Sequence, residues 1–151
     1  NKWLLCTNCS KPSALFRNNI FPGAPFGPEV QGLPQDVKDS YSEARRCMKV
    51  NAFTAAELIC RKILMHVAVD KGAKEGESFA SYLLYLETEG YVTPPMKEWV
   101  DLIRQHGNKS THKLDSPEKK RAESTVMFTA ELLRLVYEMA FMAKRYMKGQ
   151  P

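Results

Sequence analysis
The chain has 151 residues, 44% of them hydrophobic and 26% charged, with a formal net charge of +5. This balance excludes an intrinsically disordered chain and predicts one domain with at most a small appendage. The mild positive excess permits an anionic partner without requiring one, and no run of 18 uncharged apolar residues is present to cross a membrane.

Residues 1–20 are short and mixed, centred on Cys6-Thr7-Asn8-Cys9. The Cys6/Cys9 spacing is that of half a zinc ribbon or knuckle. Two thiolates cannot complete a tetrahedral site, so structural zinc would need ligands from upstream of Asn1 or from another subunit. Plain thiols and a redox pair are the other readings. The start at Asn1 rather than Met leads us to expect a longer protein. Residues 21–34 hold four of the nine prolines and three of the eight glycines, which predicts a linker or an extended arm laid on a surface.

From Pro34 onward the pattern is helical. Val37, Tyr41, Ala44 and Met48 mark one face of a first helix over about 36–50. Asn51 is expected to cap a second helix, about 52–71, with Gly72 as its stop. That helix is apolar almost all round and should be the central one, while Arg61 inside it needs a partner, such as Glu57, Glu98 or Asp101. His66, amid Leu64, Met65 and Val67, is expected to be a hydrogen-bonded core or interface histidine. Ser78 opens a third helix that closes at Gly90, and Thr93-Pro94-Pro95 opens a fourth with Met96, Trp99, Val100 and Ile103 on its apolar face. Ser116-Pro117-Glu118 opens a last helix to about Met147, some ~45 Å long. Its expected core stripe is Val126, Leu133, Val136, Tyr137 and Ala140. Lys119-Lys120-Arg121 is expected to be a solvated face, or a weak track for an RNA backbone. The fold class is thus all-α: a bundle of about five helices over 34–151, preceded over 1–33 by the Cys-x-x-Cys element and the Pro/Gly-rich arm. Cys47 and Cys60, free inside helices, point to a reducing cytoplasm.

The most unusual stretch is Arg104-Gln105-His106-Gly107-Asn108-Lys109-Ser110-Thr111-His112. If the helix continues through Gly107, then Arg104, Asn108 and His112 share one face. If it stops there, Gly107 is the left-handed terminal residue and Asn108 caps the following turn. Either way a guanidinium, an amide and an imidazole come near one another, and such groups can bind and cleave a phosphodiester. The plain alternative is a structural turn in which Arg104 pairs with Asp101.

Leu33-Pro34, Tyr41-x-Glu43-Ala44, Ala55-Ala56-x-x-x-x-Arg61-x-x-Leu64 and Ile103-Arg104-x-x-Gly107-Asn108-x-x-x-His112 together resemble a bacterial family, the domain of unknown function 4145. The resemblance covers about residues 33–140. That family in turn resembles the HEPN group of all-α domains, many of them metal-independent endoribonucleases of toxin–antitoxin, phage-defence and RNA-processing systems. The resemblance implies that Arg104 and His112 form a catalytic pair at a dimer cleft, with Asn108 as accessory. Seven residues separate the pair, one more than the usual HEPN window. Arg61, Asp101 and Gly107 would be structural supports, and no cofactor is implied for the helical domain. Surplus apolar residues of the last helix (Met127, Phe128, Met139, Phe141, Met142) predict a homodimer. RNA, or a larger protein of a defence or restriction-type assembly, is the further partner expected. Two functions are therefore expected: an RNA-binding or RNA-cleaving domain, or a non-catalytic dimerisation and interaction module.

Overall fold
A computed structural model describes residues 1–7, 10–110 and 117–147, with only the backbone described for 106–110. Its helices are α1 (Gln35–Lys49), α2 (Phe53–Asp70), α3 (Phe79–Thr88), α4 (Lys97–Ser110), α5 (Lys119–Leu133) and α6 (Met139–Met147). A 3-10 turn at Pro94–Met96 leads into α4, and a π-helical turn at Arg134–Glu138 joins α5 to α6 in one continuous rod.

The helix ends are set by local chemistry. Ser78 caps α3 by accepting the Ser81 N–H at 3.1 Å. Gly72 and Gly90, at φ of +110° and +80°, terminate α2 and α3 as left-handed residues. In each case the next amide reaches back five positions, Ala73 to the Ala68 carbonyl and Tyr91 to the Leu86 carbonyl, both at 2.9 Å. Asn51 behaves the same way at the end of α1: its φ is +61°, and the following Ala52 N–H reaches the Cys47 carbonyl at 2.9 Å. It closes α1 and does not cap α2, whose N-cap is Ala52. Asparagine tolerates both roles, and the tight turn between the helices selects the left-handed one.

α2 is the central helix, packed against α1, α3 and α5. Ala56, Cys60, Ile63, Leu64, Val67 and Ala68 on it are buried, as are the expected Val37, Tyr41, Ala44 and Met48 of α1. Burial pushes the Cys60 thiol up to about 12, so it is a neutral core group. His66 departs from expectation. Its side chain is half exposed and its Nε2 lies 3.3 Å from Asp36 Oδ2, because it falls at the edge where α2 meets the start of α1. In the last helix, Val126 and Leu133 are buried, Val136 and Tyr137 only partly, and Ala140 is exposed. The π-helical turn admits an extra residue, which rotates the residues after it away from the core side.

The first residues form a three-stranded antiparallel sheet, β1 (Lys2–Leu5), β2 (Pro12–Phe16) and β3 (Asn19–Phe21), in the order β1-β2-β3. The Pro/Gly arm after it lies on the bundle, held by packing of Phe26, Val30 and Leu33 on the core and by hydrogen bonds to its main chain. Arg45 donates to the carbonyls of Phe26 and Gly27, each at 3.1 Å, and Tyr41 Oη donates to the Pro28 carbonyl at 2.8 Å. The Gln31 N–H donates to Glu138 Oε1 at 2.7 Å, tying the arm to the π-helical turn. Gly32, at φ +71°, sits so close to the Phe141 ring that a Cβ there would collide with it. Gly32→Ala is therefore expected to destabilise the fold by about 1–3 kcal/mol, as overpacking does elsewhere, measured by urea unfolding. An unchanged midpoint would show that the arm is not seated there.

Candidate functional site
The motif stretch sits on α4, whose Val100 and Ile103 are buried against the core together with Met96 of the turn before it. Trp99 fixes the helix against α5: its Nε1–H donates to Ser124 Oγ at 2.8 Å, and its ring meets Phe128 edge-on with centroids 5.6 Å apart. α4 runs through Gly107 to Ser110, so the helix does not stop at the glycine. Positions 104 and 108 are consequently one turn apart on one helix. His112 lies outside the described residues.

Arg104 is held by two carboxylates. Its Nη1 lies 2.7 Å from Asp101 Oδ1, one turn back on α4. Its Nη2 lies 3.5 Å from Glu87 Oε2 on α3. Glu87 also takes Lys97 Nζ at 3.2 Å. The guanidinium thus pins the motif helix to α3 and, among the described residues, sits in a local set of two cations and two carboxylates. Asp101 is the partner expected from sequence, whereas Glu87 is one that sequence spacing does not reveal.

A second charged cluster lies inside the bundle. Glu57 of α2 is only 5% exposed, and its Oε1 takes Arg121 Nη2 at 2.7 Å while Oε2 has no hydrogen-bond partner. Arg121 therefore departs from the expected solvated face, with its side chain only 19% exposed. It falls on the helix side shared by Thr125, Phe128, Thr129 and Leu132, all buried. Arg61 stacks its guanidinium over the Phe79 ring at 4.4 Å. Burial lowers its affinity for a proton first, with Glu57 opposing and Arg121 adding to that effect. Two arginines thus share the field of one buried carboxylate, and the ion pair seen at 2.7 Å is the one with Arg121. The run Lys119-Lys120-Arg121 hid this pairing, because nothing local distinguishes its third cation.

These positions on α2, α4 and α5 lie within the part of the chain that carries a family signature. The family described as Domain of unknown function (DUF4145) matches residues 42–149. The chain belongs to this family. The match includes Arg61, Asp101, Arg104, Gly107, Asn108 and His112, and it leaves the sheet, the arm and Tyr41 outside. No curated protein and no solved structure matches the chain.

For a metal, the described residues offer little. Among them no group of three or more His, Cys, Asp or Glu side chains could hold an ion. Cys6 is exposed, directly after β1, and its carbonyl accepts the Ser10 N–H at 2.9 Å. Cys9 lies outside the described residues. Among the described residues, no helix is long and apolar enough to cross a membrane.

Proposed function
We propose that this DUF4145 domain is a non-catalytic assembly module of HEPN-like type, which joins a second copy of itself and serves a larger protein assembly. The observation that carries this is the state of Arg104. A guanidinium that clamps a scissile phosphate must present unneutralised donors to it. Arg104 instead donates Nη1 to Asp101 and keeps Nη2 buried 3.5 Å from Glu87 without a hydrogen bond, and with Lys97 the charges of the described residues around it balance. Its work in this reading is to lock α4 onto α3.

The last helix supplies the joining surface. No residue of α6 is buried, and Met139, Tyr146 and Met147 are 63%, 69% and 77% exposed. Large exposed apolar side chains grouped on one helix mark an interaction surface, and a closed two-fold pairing of equal helices satisfies it most simply.

The test has two readouts on the intact chain. Light scattering should give twice the chain mass for the wild type and a single chain mass for Met139→Glu/Met147→Glu. RNA incubated with EDTA should stay intact. A monomeric wild type would overturn the assembly role. Cleavage that His112→Ala removes would establish the alternative instead, a metal-independent ribonuclease. There Arg104 would hold the phosphate, Asn108 would orient it and His112 would move the proton, giving a 2′,3′-cyclic phosphate and a 5′-hydroxyl. The unbroken run of α4 from Arg104 to Asn108 is what favours that second reading.

A further inference from the structure
We propose that one face of the N-terminal sheet is a base-stacking platform for single-stranded nucleic acid, a role separate from that of the helical bundle. Strand register fixes which residues share that face. Trp3 pairs with Ala14, Ala14 with Phe21, Leu5 with Pro12 and Phe16 with Asn19. Side chains alternate along a strand, so Trp3, Phe16 and Phe21 lie on the same side and surround Ala14. Directly paired strands are about 4.8 Å apart and diagonal neighbours about 7–8 Å. The three rings therefore stand around a small side chain at spacings that leave room for a planar base.

The rings are offered to solvent. Trp3 is 83% exposed, and Phe16 and Phe21 are each 46% exposed. A tryptophan left this open forgoes a large burial gain, which is expected where it meets a partner. Charge selects the partner. Residues 1–28 contain Lys2, Lys11 and Arg17 and no Asp or Glu. Arg17 lies over the Phe16 ring at 5.2 Å, so a cation accompanies one of the aromatics. Aromatic rings for bases and cations for phosphates, on an open sheet, are the chemistry of single-strand recognition. A purely apolar protein partner would gain nothing from the uncompensated positive charge.

The probes are fluorescein-labelled oligouridine and oligothymidine of about 12 nucleotides, within the site sizes of single-strand binders, and a duplex of equal length. Full-length protein should bind both single strands more tightly than the duplex. A preference between the two strands would tell whether the sugar hydroxyl is read. Trp3→Ala and Phe16→Ala should each weaken binding at least about fivefold. Lys11→Ala should flatten the salt dependence by about 0.7 in log–log slope. All three side chains are exposed, and an unchanged helical circular dichroism signal verifies folding. Met139→Glu/Met147→Glu should bind like wild type, which keeps this result distinct from that of the α6 surface. Single strands that fail to bind would overturn the proposal. So would a Trp3→Ala protein that binds as tightly as wild type, or that changes only in self-association, which would mark a protein-docking face.

Discussion

Glu57→Ala should unfold the domain at markedly lower denaturant, with a loss of about 3–5 kcal/mol, the cost of stranding one member of a buried ion pair. The partner left behind is Arg121, whose side chain is mostly buried and whose Nε already lacks a hydrogen bond. Arg61 worsens the position, because Glu57 is the carboxylate that favours its charged form as well. The double change Glu57→Leu/Arg121→Met should recover most of the loss, since apolar residues of similar volume often match or exceed a buried pair. Guanidinium unfolding of the wild type, both single variants and the double variant gives the coupling directly. If Glu57→Ala costs less than about 1 kcal/mol, as an exposed pair would, the pair is not buried in solution.

Phe128→Ala should cost about 3–5 kcal/mol, the range for emptying a core aromatic site. Phe128 is fully buried on α5 and its ring is the edge-on partner of Trp99. Its removal therefore has a local consequence beyond the cavity. Trp99 anchors α4, so the helix carrying Arg104 loses one of its two attachments through that indole, and the Trp99–Ser124 hydrogen bond becomes the remaining one. The emission of Trp99 should shift to the red as water reaches the indole. Measuring it in a Trp3→Phe background isolates that signal, Trp3 and Trp99 being the two tryptophans of the chain. An unshifted emission with full stability would show that α4 is placed by other contacts.

Helix faces and helix stops were the legible part of this fold. Val37, Tyr41, Ala44 and Met48 recur with a helical period and are buried, and Gly72 and Gly90 end their helices as left-handed glycines should. The features that escaped have identifiable causes. Asn51 fits two opposite roles, and only the geometry of the α1–α2 turn decides between them. The strands β1, β2 and β3 are three to five residues long, too short for alternation to separate them from mixed coil. The π-helical turn has no sequence signature, so the core stripe projected through it to Ala140 points to solvent. At the candidate site, the i, i+3 pair of Asp101 and Arg104 is implied by helical spacing. Glu87 and Arg121 come from other helices, and long-range partners of that kind need the packed bundle to be seen.

The grip on the arm has a consequence for where this protein can be divided. Arg45, Tyr41 and Glu138 hold residues 26–31 by their peptide groups, while Phe26, Val30 and Leu33 pack against the core and Gly27 and Gly32 leave no room for a side chain. The family signature begins only at residue 42. A cut placed at that boundary would remove the buried phenol of Tyr41, bare the flank of Phe141 and leave Arg45 without its two carbonyls. The smallest cohesive unit thus begins inside the arm, before Phe26, and shared ancestry and shared stability draw different edges on this chain.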